Sequence, residues 1–346
     1  MFTINKSELE KIIDFPAALE KIKKSFIAFS AKKVLAPPPF FFDLPDENGE
    51  ICVKTALAED LPTYTMKIVS VFKSNEKIAM PTLTGTMVIF DSKTGRLLAV
   101  LNEDGWLTNL RTACAGALAD SYFRQSSAQS LGIIGAGTQA EWQAKLILRQ
   151  NGGYQTVFVF DINRQKSKQY TDKMKLLFPE VLFVVSPSVE RLVEAADTVL
   201  TVTPATEPLI FPEMAKEGMT IIGIGADMPQ KCEISPDLYA RADKIFVDSL
   251  DSNLLLGGVS RSINQKKITP ENISGEIGEV LSGKREGRAN DREIVIVNLV
   301  GLGSQDTFIG NLVYQKMVDV VQLAERRPVK PEMRDHNPSF TRNKIK

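Results

Sequence analysis

The sequence predicts an α/β fold built on a parallel, doubly wound sheet, and three observations carry that expectation. From Ser130 onward, apolar runs of strand length alternate with amphipathic stretches of helical period, as in successive βαβ units. The runs LGIIG, TVFVFD, VLFVV, DTVLTVT, MTIIGIGAD, KIFVDS and EIVIVNLV are apolar almost throughout, as strands covered on both faces must be. Between the first run and the next helix stands Gly135-Ala136-Gly137-Thr138-Gln139-Ala140, a G-x-G-x-x-A loop in the strand-to-helix setting that a dinucleotide-binding turn requires.

The residues before Ser130 follow a different pattern. Leu19, Ile22, Phe26 and Phe29 recur at helical spacing behind Pro16 and predict an amphipathic helix over 16–31. Three prolines in APPPFFFDLP forbid regular helix and place an extended segment there. TYTMKIVSVF (63–72) and TGTMVIFD (84–91) read as strands, with DSKTGR turning the second into RLLAVLNE. Asp104 stands where it would cap a helix through WLTNLRTACAGALADSYF. Within the βαβ region EWQAKLILRQ, QKSKQYTDKMKLL and SVERLVEAA supply the helices. ISGEIGEVLSGK (273–284) reads as a helix with a glycine stop, and NLVYQKMVDVVQLAER as a last helix that returns to the first lobe, since no βαβ unit needs it.

A chain of 346 residues is expected to form about two domains. Forty-two basic residues balance 42 acidic ones and no basic stripe is present, so nucleic acid is not an expected partner. The longest apolar runs fall far short of the ~20 residues of a membrane span, and MFTINKSELEK lacks the apolar core of a signal peptide. These readings point to a soluble, cytoplasmic protein with no membrane partner. Cys52, Cys114 and Cys232 match no redox or metal-ligand spacing; they are expected to be small buried hydrophobes, and no metal is expected. The only histidine, His336, lies in the polar tail PEMRDHNPSF, which disfavours histidine triads and His-ligated zinc. Proton transfer then falls to Asp, Glu, Lys, Tyr or Cys.

In the glycine loop, Gly135 would make the tight turn, Gly137 would let a pyrophosphate approach the backbone, and Ala140 would keep helix and strand close. Asp161 ends the next strand, where a carboxylate can bond ribose hydroxyls; this favours NAD, while Arg164 could accept the extra phosphate of NADP. On strand 63–72, Lys67 shares a face with Thr65, Val69 and Val71, either as a solvated edge lysine or as a buried one that needs a partner. Arg111 lies in an apolar helical stripe with Leu107, Cys114, Ala115 and Leu118. Its guanidinium needs an anion, which could be an internal Asp or Glu or a substrate carboxylate held bidentately. Asp227 follows a strand, on the side where open α/β sheets bind ligands, or it forms the turn before Met228-Pro229.

LTNLRTACAGALA, GIIGAGTQA, GIGADMPQKCEI, FVDS and GEVLSGKREGR, in this order from about residue 60 to 310, resemble the ornithine cyclodeaminase and mu-crystallin family. The resemblance implies a Rossmann domain, 123–307, inserted in a discontinuous α+β substrate-binding and dimerisation domain formed by 1–122 and 308–346, a homodimer, and NAD or NADP as cofactor. By the same resemblance Lys67 becomes substrate anchor, Arg111 the carboxylate clamp, and Asp227 the general acid/base that works with Lys67. The cofactor set it implies is Gly135, Ala136, Gly137, Thr138, Gln139, Asp161, Arg164, Thr112 and Thr203. Two departures stand out. The family's arginine after a proline pair near residue 38 is replaced by Pro37-Pro38-Pro39-Phe40-Phe41-Phe42. The cyclodeaminase glutamate near the ornithine side-chain amine has no counterpart in GEICVKTALAED, where Lys54 lies close and joins the substrate-binding set. The function implied is NAD(P)-dependent oxidation at the C–N bond of an amino acid, or reduction of the corresponding imine. The alternatives are a cyclodeaminase-type ammonia-lyase with catalytic NAD, and a mu-crystallin-like protein that binds cofactor and a small molecule without turnover.

Overall fold

The computed structural model describes residues 1–150 and 152–325. His336 and the end of the 308–346 segment lie outside the described residues. Among those described, the first lobe is a sheet of β1 (Phe2–Asn5), β2 (Val34–Leu35), β3 (Phe40–Leu44), β4 (Gly49–Ala58), β5 (Thr63–Phe72), β6 (Leu83–Asp91) and β7 (Leu97–Asn102). The strand order is β1-β7-β6-β5-β4-β2, with β3 also paired to β4. β4 to β7 form an antiparallel meander, and its register sets Lys54 directly opposite Lys67. The Phe15–Ser30 helix starts where the Asp14 side chain accepts from the Ala17 N–H, and it buries Ala18, Ile22 and Phe26.

The second sheet holds β8 (Ser130–Ile134), β9 (Thr156–Phe160), β10 (Leu182–Val185), β11 (Thr198–Thr201), β12 (Thr220–Gly223), β13 (Lys244–Val247), β14 (Gly275–Glu276) and β15 (Val295–Asn298). All its pairings are parallel, in the order β10-β9-β8-β11-β12-β15-β13-β14. The winding reverses between β8 and β11, which opens a crevice at the carboxyl ends of these strands. This is the doubly wound α/β fold that the alternating pattern predicts.

Two helices connect the sheets to the site. Trp106–Phe123 is buried along nearly its whole length and packs on the Phe15–Ser30 and Thr138–Gln150 helices, β12 and β15. Gly303–Glu325 packs on the Phe15–Ser30 helix, β4 and β5. It begins five residues before 308, so that position falls inside a helix.

Several expectations need correction. Asp104 is exposed and does not cap the following helix. Asp104 and Gly105 both take positive φ, and the Glu103 carboxylate instead accepts from the Thr108 N–H at 2.9 Å and its hydroxyl at 2.6 Å. The 273–284 helix shrinks to Ile277–Leu281, because Gly275–Glu276 pairs with β13 and a Glu276/Glu279 capping box starts the helix only then. Cys114 and Cys232 are buried, but Cys52 is only half-buried, near the exposed edge formed by β3. Among the described residues no helix is long and apolar enough to cross a membrane.

Candidate active site

At the switch point a cavity of about 650 Å³ is lined by Gly135, Ala136, Gly137, Asp161, Asn163, Lys166 and Thr203, among others. Gly135 has φ 107°, and a Cβ built on it would lie 3.1 Å from the Val202 carbonyl oxygen; only glycine makes this turn without strain. A Cβ built on Gly137 meets nothing within 4 Å, so the backbone there faces open space. Asp161 Oδ2 accepts the Ala136 N–H at 2.9 Å and Oδ1 the Asn163 N–H at 2.8 Å, so the carboxylate braces the loop at the end of β9. These features fit a dinucleotide: an approachable loop backbone, a helix N-terminus, and an acceptor at the next strand end.

Not every residue in the implied cofactor set lines this cavity. Arg164 is exposed, and Lys166, which the sequence reading missed, lines the cavity instead. Thr138 opens the Thr138–Gln150 helix, and Gln139 Nε2 is spent on Asn109 Oδ1 at 2.8 Å, tying the loop to the Trp106–Phe123 helix. Thr112 borders a different cleft. Thr203 is held by Glu233, also missed, whose Oε1 accepts the Thr203 N–H at 2.6 Å and hydroxyl at 2.8 Å. Its other oxygen accepts from the Thr201 hydroxyl and the Gly225 N–H, so one buried carboxylate joins the ends of β11 and β12. Burial raises the pKa of Glu233, and these four bonds oppose the rise.

Beside the cofactor cavity, Arg111, Thr112, Asp227, Val300, Gly301 and Gln305 enclose a cleft of about 50 Å³. Gly301 also borders a cavity of about 440 Å³ that holds Lys54, Phe41, Pro37, Pro38, Pro39 and Leu255. Lys67 is 1% exposed and Asp306 is fully buried. Each Asp306 oxygen lies 3.0 Å from Lys67 Nζ, and Oδ1 lies 3.3 Å from Arg111 Nε. Arg111 Nη1 also donates to Gln305 Oε1 at 3.0 Å. Of the alternatives left open by the sequence, Lys67 is therefore the buried, paired lysine and Arg111 has an internal anion. Burial first, then the neighbouring Arg111 charge, lower the Lys67 pKa to about 8 against the pull of Asp306.

Lys54 Nζ donates to the Val300 and Gly301 carbonyls at 3.0 and 2.8 Å. Asp248, at the end of β13, accepts the N–H groups of those same two residues at 3.0 and 2.7 Å and so fixes the loop that presents the carbonyls. Gly301 has φ 79°, and a Cβ there would approach Arg111 Nη1 to 2.8 Å and Lys54 Nζ to 3.3 Å. Asp227 is partly exposed and accepts from Lys231 Nζ at 2.9 Å. Desolvation raises its pKa, but the Lys231 and Lys54 charges outweigh it and hold the carboxyl below its usual range.

The site thus gathers Arg111, Thr112 and Asp227 around one cleft, with Lys54 at its border and Lys67 locked behind Arg111 through Asp306. Buried cations beside an ionised carboxylate suit a ligand that carries both a carboxylate and a basic nitrogen. Asp306 had a readable signal: Leu302, Ile309 and Val313 flank it at helical spacing, an apolar stripe in which an acid needs a partner.

A doubly wound sheet with a glycine loop at its switch point, joined to a second sheet whose Lys54 and Lys67 lie beside a cleft lined by Arg111 and Asp227, defines a dinucleotide-binding α/β protein. The family model of the ornithine cyclodeaminase/mu-crystallin family matches residues 2–320, and the chain belongs to that family. It is 34% identical to the uncharacterised cyclodeaminase y4tK of Sinorhizobium fredii, over 91% of this chain and 96% of that one. Its structure is similar to that of Thermococcus litoralis Δ1-pyrroline-2-carboxylate reductase in complex with NADH and L-proline, with TM-score 0.86, 26% identity, and coverage of 93% and 98%. It is also similar to an archaeal alanine dehydrogenase dimer with bound NAD, with TM-score 0.84, 27% identity, and coverage of 93% and 97%.

Proposed function

We propose that this chain is an NAD-dependent oxidoreductase that acts at the C–N bond of an amino acid or reduces the corresponding imine. The observation that carries the reading is the cleft in which the Arg111 guanidinium faces an ionised Asp227 across Gly301 and Thr112. A bound nicotinamide dinucleotide supplies the hydride acceptor or donor. Gly135, Ala136 and Gly137 cradle its phosphates, and Asp161 at the end of β9 receives the ribose. That carboxylate would repel a 2′-phosphate, which supports NAD over NADP.

Arg111 holds the substrate carboxylate, with Lys67 behind it adding charge through the shared Asp306 and Lys54 at the border of the next cavity. In the oxidative direction the C–H bond at the carbon bearing nitrogen breaks with its electron pair. An N–H proton passes to Asp227 and the C=N bond forms; reduction reverses each transfer. The 440 Å³ cavity takes the substrate side chain, and its Phe41, Leu255 and proline walls favour an apolar group. Phe40 and Phe42, 58% and 48% exposed on β3, and half-exposed Met66 and Ile68 on β5, support a homodimer formed on the outer face of the first sheet.

Asp227→Asn tests the assignment. The variant is expected to bind NAD as the parent does, by fluorescence titration, and to lose turnover of L-proline and L-alanine with NAD and of their imines with NADH. Turnover near the parental rate would overturn it.

A further inference from the structure

Lys231 stands between two carboxylates from different parts of the fold. Its Nζ lies 2.9 Å from Asp227 Oδ1 and 3.5 Å from Glu50 Oε2 on β4, and its side chain is 13% exposed. A turn fixes the first contact: the Lys231 N–H donates to the Met228 carbonyl, and Arg261 holds the Gln230 carbonyl. The second contact crosses from the loop after β12 to the first sheet, where Glu50 is also held by Lys73 at 3.3 Å. An exposed ion pair contributes little. A largely buried ammonium with a choice of two carboxylates, one of them bordering the reactive cleft, does something else. When a substrate ammonium or iminium approaches Asp227 it competes with Lys231, and Glu50 keeps the displaced lysine paired, so no buried cation is stranded.

We propose that Lys231 is a positioning residue of the active site: anchored from β4 by Glu50, it orients and neutralises the Asp227 carboxylate until the substrate nitrogen takes its place. This rests on the reading of Asp227 as the acid/base group. The groups that act on Asp227 are Lys231 from its own turn and Lys54 from β4; half-buried Cys52, also on β4, feels its charge, and Arg111 lines the same cleft. Those on Lys231 are Asp227 and Glu50.

The test is a ¹³C NMR titration of the full-length protein labelled at aspartate Cγ, with Asp227→Asn identifying the resonance. Lys231→Met is expected to raise the Asp227 midpoint by about one unit or more, a roughly tenfold gain in proton affinity, and Lys231→Arg to restore it. Glu50→Gln, which keeps the Asp227 contact, is expected to leave the midpoint low and to raise KM for L-proline or L-alanine more than it lowers kcat. An Asp227 midpoint in folded Lys231→Met equal to that of the parent overturns the proposal. A midpoint that moves while the pH profile of turnover stays fixed would instead remove Asp227 from acid/base catalysis and leave the positioning role of Lys231 standing.

Discussion

Asp306→Asn preserves side-chain volume and removes the carboxylate shared by Lys67 and Arg111, the acidic partner of both among the described residues. Breaking a buried ion pair from one side typically costs about 3–5 kcal/mol, because it leaves an uncompensated buried charge. Lys67 can escape part of that cost by releasing its proton. Its pKa is already lowered to about 8 with Asp306 in place, and loss of an opposite charge at this range lowers a lysine by a further ~1–3 units. In the variant Lys67 is therefore expected to titrate at about 5–7, against ~10.4 in the unfolded chain. The sign follows from proton counts. Between the folded and unfolded values the unfolded chain holds one more proton, so stability rises with pH by about 1.4 kcal/mol per unit. That window opens near pH 8 in the parent and two or so units lower in the variant. The destabilisation by Asp306→Asn should thus be largest in mild acid and shrink toward pH 8. Guanidinium unfolding of both proteins at several pH values, with linear extrapolation, measures it. A penalty below about 1 kcal/mol in mild acid, or one that does not change with pH, would refute the charge balance assigned to Asp306.

Three further outcomes follow from the same geometry. Gly137→Val, placed where a side chain meets open space, should fold with parental stability yet bind NAD at least tenfold more weakly by fluorescence titration, because the added methyls occupy the phosphate approach. Gly301→Ala, at φ 79° and against Arg111, should lose about 1–2 kcal/mol in denaturant unfolding and raise KM for the amino acid while leaving NAD affinity unchanged. In the parent, KM should rise as pH passes about 8 and Lys67 loses its proton, and in Lys67→Arg that rise should vanish, since a guanidinium stays charged; initial rates from neutral to alkaline pH check both.

Much of the parallel sheet could be read directly, because strands buried on both faces leave continuous apolar runs and the glycine loop sits at a fixed place between them. Arg111 announced its need for an anion through its apolar helical neighbours, but spacing along one helix cannot say which distant residue answers. Asp306, 195 positions later, carries the mirror-image signal, diluted by Gly303 and Ser304 at the start of its helix. Glu233 and Lys231 follow Pro229 in a loop with no periodicity to mark them; their partners Thr203, Gly225 and Glu50 come from elsewhere in the fold. The misplaced cap at Asp104 turned on positive φ at Asp104 and Gly105, which the Asp-Gly pair does signal as a turn but which a reading of Asp104 as a helix cap passes over. The two-residue strand Gly275–Glu276 exists only because β13 offers it an edge.

The most direct test of the proposed chemistry is a paired assay of the full-length protein: NAD with a panel of amino acids that includes L-proline and L-alanine, and NADH with the corresponding imines, reading reduced cofactor and ammonia in the same wells. Reduced cofactor is expected to form from an amino acid or to be consumed with its imine, and both changes are expected to be lost in Asp227→Asn. Ammonia released with no change in reduced cofactor, or no turnover in either direction by protein that binds NAD, would contradict it.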